Sequence, residues 1–248
     1  MPAMESPERP AAKTPGRLSQ ALLRLLMTRA TVVASAPLAE RFRLVTLESA
    51  TFEGTAWIPG QKLQIAMGSA FVARTYTPID WDAAAGRTRI LGYAHGDGPG
   101  SAWLLGLKPG DACDLFGPRG SLDVNRTAGP LAVFGDETSI GLAHALIHRD
   151  RTPALACHFE VGDIEGCRRV TAKLGLDDAV LFERRDDEAH LDAMKATLPA
   201  LAETGATFVL TGRAQTIQQL RQALIRQAFP AARILAKAYW APGKKGMD

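Results

Sequence analysis

Near residue 127 the chain changes its periodicity, and that change limits the folds open to it. After NRTAGP (residues 125–130) apolar runs alternate with helical ones: LAVFG, DETSIGLAHALIHR, ALACHFEVG, IEGCRRVTAKLG, AVLFER, HLDAMKATLPAL, TFVLTG, AQTIQQLRQALIRQAF and RILAKAYW. Strand and helix alternate four times, the pattern of a parallel sheet wound with helices. Before the change the signals are those of short strands: TVVAS, RFRLVTLES, QKLQIAM, RTYTPI, RTRILGYA and DACDLFG. Turns rich in Gly and Pro bound them, as in a small antiparallel barrel, with PGSAWLLGL as one short helix. Residues 1–16 are rich in Pro, Ala and charge and read as a tail. Leu22, Leu23, Leu25 and Leu26 give residues 18–27 a helical spacing. The expected division is therefore a tail and short helix over 1–27, a β-barrel domain over 28–126, and an α/β parallel-sheet domain over 127–248.

Composition excludes several functions. The net charge of +3 comes from 29 basic and 26 acidic residues mixed along the chain, whereas a nucleic-acid surface needs basic residues massed on one face. A small anionic ligand remains compatible. Cys113, Cys157 and Cys167 include no CxxC pair, which argues against a disulfide framework or a zinc or iron-sulfur site and for a reducing, cytoplasmic setting. The N-terminus carries Glu5, Pro7, Glu8 and Pro10 and no apolar core before a cleavage site, so no secretory signal is expected. No apolar run approaches the roughly 20 residues that span a bilayer. A monomer without membrane or nucleic-acid partners is the expectation.

Parallel sheets bind ligands outside the carboxyl ends of their strands, which here are FGDETS, EVGD, LTGR and the residues after AKAYW. Two stretches of the barrel carry unusual side chains for their place. In ARTYTPIDW (residues 73–81), Arg74 and Tyr76 share one strand face and Thr75 and Thr77 the other. Arginine suits a diphosphate and tyrosine a flat ring, although these residues also suit an exposed strand. In HGDGPGSAW (residues 95–103), Gly96, Gly98 and Gly100 remove side chains before a helix, so backbone N–H groups and Ser101 can approach a phosphate; a plain turn is the other reading. His144 and His148 stand at helical i, i+4 spacing with no third ligand nearby, and no metal site is expected.

Taken in order, R-x-Y-T, H-G-x-G-P-x-S-x-W, G-P-R-G (residues 117–120), G-D-E-T (residues 135–138) and a terminal Y-W (residues 239–240) resemble the siderophore-interacting protein family. That family consists of flavin-dependent ferric siderophore reductases related to the ferredoxin reductases. The resemblance runs from about residue 28 onward and implies the ferredoxin-reductase-like pair of domains. It implies FAD as cofactor, held by Arg74, Thr75, Tyr76, Thr77, His95, Gly96, Gly98, Gly100 and Ser101. It also implies NADH or NADPH as donor, with Gly135, Asp136, Glu137 and Thr138 at the nicotinamide nucleotide and Tyr239 and Trp240 closing over it or over the flavin. A ferric siderophore or other anionic ferric chelate would meet a cluster of cations, for which Lys62, Arg119, Lys237 and Lys244 are the candidates. The chain departs from the family in three places: Ile79 stands where a second arginine is usual, the glycine loop is one residue shorter, and Ala241 and Pro242 replace a basic pair. The resemblance thus implies an NAD(P)H-dependent reductase that releases Fe(II). The alternatives are a related flavin oxidoreductase with another acceptor and an inactive flavin- or siderophore-binding module.

Overall fold

A computed structural model of the chain describes residues 27–67, 73–96, 98–124, 127, 129–148 and 154–243; the expected tail, most of the expected N-terminal helix, and Lys244 lie outside them. The first half forms seven strands, β1 (Thr28–Ala39), β2 (Phe42–Glu48), β3 (Lys62–Ala66), β4 (Ala73–Tyr76), β5 (Pro78–Asp82), β6 (Arg87–Tyr93) and β7 (Ala112–Arg119), and one helix, α1 (Pro99–Gly106). They pair antiparallel in the order β4-β3-β7-β1-β2-β6-β5. The two edges are successive pieces of one chain run: β4 pairs with β3, β5 pairs with β6, and the sheet curls into a barrel. RTYTPI is therefore two strands broken at Thr77, not one. Pro78 opens the second piece, a place that tolerates the missing N–H. Alternation fills the interior: Val45 and Leu47 on β2 and Leu63 and Ile65 on β3 are fully buried. Helix α1 lies against the barrel, with Leu104 so close to β6 that a Cβ on Gly92 would fall 2.4 Å from its side chain.

The second half is a five-stranded parallel sheet in the order β10-β9-β8-β11-β12, built from β8 (Leu131–Asp136), β9 (Leu155–Val161), β10 (Val180–Glu183), β11 (Thr207–Arg213) and β12 (Ile234–Trp240). Its helices are α2 (Ile140–Ile147), α3 (Ile164–Lys173), α4 (Ala189–Ala196), α5 (Leu198–Glu203) and α6 (Ala214–Arg226). All six residues of β8 are buried, as covering both sheet faces requires. HLDAMKATLPAL divides into α4 and α5 at Thr197, because Pro199 cannot continue the first helix but is compatible with the first turn of the second. No helix among the described residues is long and apolar enough to cross a membrane.

The two halves share a core. Phe42, Ile79, Leu91, Leu122 and Val124 from the barrel half pack in one buried cluster with Leu131, Val133, Ile140, Leu142 and Leu146 from the sheet half. Helix α2 is the wedge: every residue from Ile140 to Leu146 is buried, because its own sheet lies on one side and the barrel on the other. At the closest approach Gly141 meets Ile79, where an added Cβ would fall 3.0 Å from the Ile79 Cγ2. Burying each aliphatic side chain of such a cluster is worth roughly 1.5–3 kcal/mol, so the halves meet through core packing.

The place where an arginine was expected is thus an apolar position, 1% exposed, at the junction of the two halves. Ile79→Arg would bury an unpaired charge there, and we expect it to cost roughly 3–5 kcal/mol in chemical unfolding without tightening FAD. Unchanged stability with tighter FAD would refute this placement.

Candidate functional site

On β4, Arg74 lies opposite Ile65 and Tyr76 opposite Leu63, so the cation and the ring project to one side of the strand. The Arg74 stem reaches the start of α1, where a Cβ on Gly100 would lie 3.1 Å from its Cγ. That helix opens with Gly98 as N-cap, which offers no side chain to its first turn, and Pro99 at the first helical position. Cβ atoms on Gly96 and Gly98 would meet nothing within 4 Å. A guanidinium beside an uncapped helix start in an open glycine loop is the donor set that a diphosphate needs, so these residues fit the phosphates of a dinucleotide cofactor. Ser101 is buried just behind the opening. The Tyr76 ring packs on Trp103, centroids 5.6 Å apart, and burial holds its phenol well above the usual range.

The other wall is the carboxyl edge of the parallel sheet. Asp136, at the end of β8, is fully buried. Its Oδ1 accepts hydrogen bonds from Thr138 N at 2.9 Å and Thr138 Oγ1 at 2.5 Å, and its Oδ2 accepts one from Trp240 Nε1 at 2.6 Å. Burial and the neighbouring Glu137 push its pKa up to about 6. Asp136 N donates to Ser139 Oγ, which closes a capping box on the turn ahead of α2. Behind Gly135, Thr211 Oγ1 and Ser139 Oγ lie 2.9 Å apart. Glu137 is equally committed: Oε1 accepts from Gly162 N at 2.7 Å and Oε2 from Arg184 at 2.8 Å. A nucleotide approaching this edge meets backbone and hydroxyl groups, the two carboxylates being occupied by protein partners.

The end of β12 closes the space between these walls. The Tyr239 hydroxyl lies beside Thr77 of the barrel and Thr211 of the sheet, and burial raises its pKa to about 12. Trp240 stacks on His95, centroids 5.6 Å apart and planes 20° apart. Burial lowers the His95 pKa, Glu137 and Arg74 acting in opposite senses, which favours the neutral ring. Four stretches far apart in sequence, at Thr77, His95, Asp136 and Tyr239–Trp240, therefore converge.

The candidate cations are less tightly grouped. Lys62 and Arg119 are cross-strand partners on β3 and β7, and Arg119 donates to Gln64 Oε1 at 3.2 Å. Lys237 precedes Tyr239 by two residues, on the face of β12 from which Leu235 packs on the shared core. The His144 and His148 rings lie 4.2 Å apart, but their Nδ1 atoms face the carbonyls of Leu174 and His144. No cluster of three or more His, Cys, Asp or Glu suited to a metal occurs among the described residues.

An antiparallel barrel sharing a core with a parallel sheet, with an open glycine loop on the barrel and aromatic residues at the last strand's end, is the ferredoxin-reductase-like fold. The ferredoxin-NADP+ reductase of Plasmodium falciparum superposes over 86% of this chain and 96% of its own at a TM-score of 0.65, with 12% identity. The siderophore-interacting protein of Acinetobacter baumannii does so over 88% and 91% at 0.71, with 19% identity. More narrowly, residues 16–122 match the family model of the siderophore-interacting FAD-binding domain. The match spans most of the barrel half and supports FAD as the cofactor. In sequence, the NADPH-dependent ferric-chelate reductase of Escherichia coli (strain K12) is 26% identical over 197 residues, 77% of this chain and 71% of that protein.

One feature of the sheet edge was not anticipated from the sequence. Glu160, fully buried on β9, accepts from Thr216 Oγ1 at 2.5 Å and pairs with His190 Nε2 at 2.9 Å; Arg213 and Arg184 lie at 3.6 and 3.7 Å. The available signal was an acid inside the apolar run LACHFEV, since an acid buried in a strand needs partners. Because Glu160→Leu would leave the buried Thr216 hydroxyl and His190 Nε2 without their partner, it should cost about 1–3 kcal/mol for each, and Glu160→Gln less, in denaturant unfolding. Equal losses for the two would mean that packing and not hydrogen bonding matters at this position.

Proposed function

We infer that this protein is an NAD(P)H-dependent ferric-chelate reductase that carries electrons through FAD to a ferric siderophore or a similar anionic chelate. The observation that carries the reading is the convergence of Arg74, the open start of α1, Thr77, His95 and the Tyr239–Trp240 pair on one cleft. The family of the barrel half and the ferric-chelate reductase of Escherichia coli support the same reaction, and that relative's donor favours NADPH.

In this reading Arg74, Gly96, Gly98, Gly100 and Ser101 grip the FAD diphosphate, and Thr75 and Tyr76 border the cofactor. Thr77 and His95 face its reactive edge. The backbone and hydroxyls at Gly135, Thr138 and Thr211 receive the nicotinamide nucleotide, and Tyr239 with Trp240 exclude water from above. Lys62, Arg119 and Lys237, with Lys244 beyond them, attract the anionic chelate. Bound FAD would supply the step between a donor that delivers a hydride pair and an iron that accepts one electron at a time. Reduction releases the metal because hard oxygen ligands hold Fe(III) far better than Fe(II). The domain join lies near residue 127, and the cytoplasm, where reduced nicotinamide is available, is the setting.

Purified protein should be yellow. Anaerobic NADPH should bleach it, and a ferric siderophore should restore the colour while a ferrous chelator traps the iron. Flavin that bleaches but is reoxidised by no ferric chelate would overturn the acceptor; protein unable to take up FAD would overturn the whole reading. Arg74→Ala removes a charge-assisted contact and should weaken FAD binding about ten- to a hundredfold. Unchanged FAD affinity would remove Arg74 from the cofactor site.

A further inference from the structure

Asp136 stands at the switch point of the sheet, where β8 has β9 on one side and β11 on the other and where a dinucleotide would approach. A carboxylate is a poor choice there for binding a diphosphate directly, and burying it is unfavourable unless its lone pairs are used. The structure uses both oxygens. Oδ1 caps the first turn through Thr138, and Oδ2 goes to the Trp240 indole N–H at 2.6 Å, across 104 residues of chain. The fold also makes room for it. Gly212, on β11 with φ of 92°, faces Asp136 so closely that a Cβ would fall 2.6 Å from the carboxyl group. Only a glycine meets both the backbone angle and the space. On its far side the indole that Asp136 holds is stacked on His95, at the start of the glycine loop beside α1.

We propose that Asp136 is a positioning residue whose carboxylate, by accepting the Trp240 indole N–H, holds that ring against His95 and sets the sheet-side shape of the cofactor cleft. The competing role, a helix cap alone, makes a different prediction. Asparagine caps helices as well as aspartate does, with its oxygen on Thr138. Its amide would then turn an N–H toward the indole N–H, two donors with no bond between them. Asp136→Asn therefore keeps the cap and loses the hold on Trp240. Trp240→Phe keeps a ring and removes the donor from the opposite side.

The first test needs neither FAD nor turnover, so it stands whether or not the reading as a ferric-chelate reductase does. In a proton–nitrogen correlation spectrum of the apoprotein, the Trp240 indole signal is assigned by its loss in Trp240→Phe. It should lie downfield and exchange slowly in the wild type. In Asp136→Asn it should move upfield and exchange at least about tenfold faster, as loss of one hydrogen bond allows, while the Trp57, Trp81 and Trp103 signals stay in place. The second test rests on that reading. With holoprotein of equal FAD content, each single variant should raise the KM for NADPH about three- to tenfold, and the double variant no further than the worse single one. An indole signal unchanged in Asp136→Asn would overturn the proposal, as would variant effects that multiply. If Asp136→Asn does not fold, Trp240→Phe still decides: a KM and FAD affinity equal to wild type would show that the ring's position does not matter.

Discussion

Helix α2 is buried on all sides, with the parallel sheet behind it and the barrel in front, and the close approach of Gly141 to Ile79 sets how near the halves come. That packing aims the carboxyl edge of the sheet at β4 and at the glycine loop. Without it, the end of β12 could not reach Thr77 and His95. The arginine expected at position 79 would have to occupy this junction, where isoleucine instead joins the halves through apolar packing; in the proposed reading, phosphate contact falls to Arg74 and the start of α1.

The same geometry divides the work at the sheet edge. Asp136, Glu137 and Glu160 are buried acids at the ends of β8 and β9, close to where a polyanionic nucleotide would lie. Each is committed to protein partners: Asp136 to Thr138 and Trp240, Glu137 to Gly162 and Arg184, Glu160 to Thr216 and His190. Fixed in this way their side chains hold the shape of the edge. Pairing also explains how the acids are tolerated, since a buried carboxylate without donors would be strongly destabilising.

Much of this architecture was legible in the sequence, and the parts that were not share a cause. The switch from period-two strands to alternating apolar and helical runs near residue 127 reports local hydrophobic pattern, which a chain carries in its order of residues. The division of RTYTPI at Thr77 is set by pairing, β4 with β3 and β5 with β6, and both sides of the break have strand-forming residues. Motif order pointed to the residues of the cleft. It did not reveal that the Asp136 and Glu137 side chains face inward, because the partners that turn them, Trp240 and Arg184, lie far along the chain. Glu160 was passed over for the same reason: its four partners come from two strand ends and two helices.

If Arg74 and the start of α1 hold the cofactor, FAD lies in the cleft between α1 and the ends of β8 and β12. A crystal structure of the protein with FAD tests it most directly. The diphosphate should lie within hydrogen-bonding distance of Arg74 and the first amides of α1, with the isoalloxazine reaching Thr77 and the Tyr239–Trp240 pair. A flavin bound elsewhere, or a diphosphate out of reach of Arg74, would contradict it.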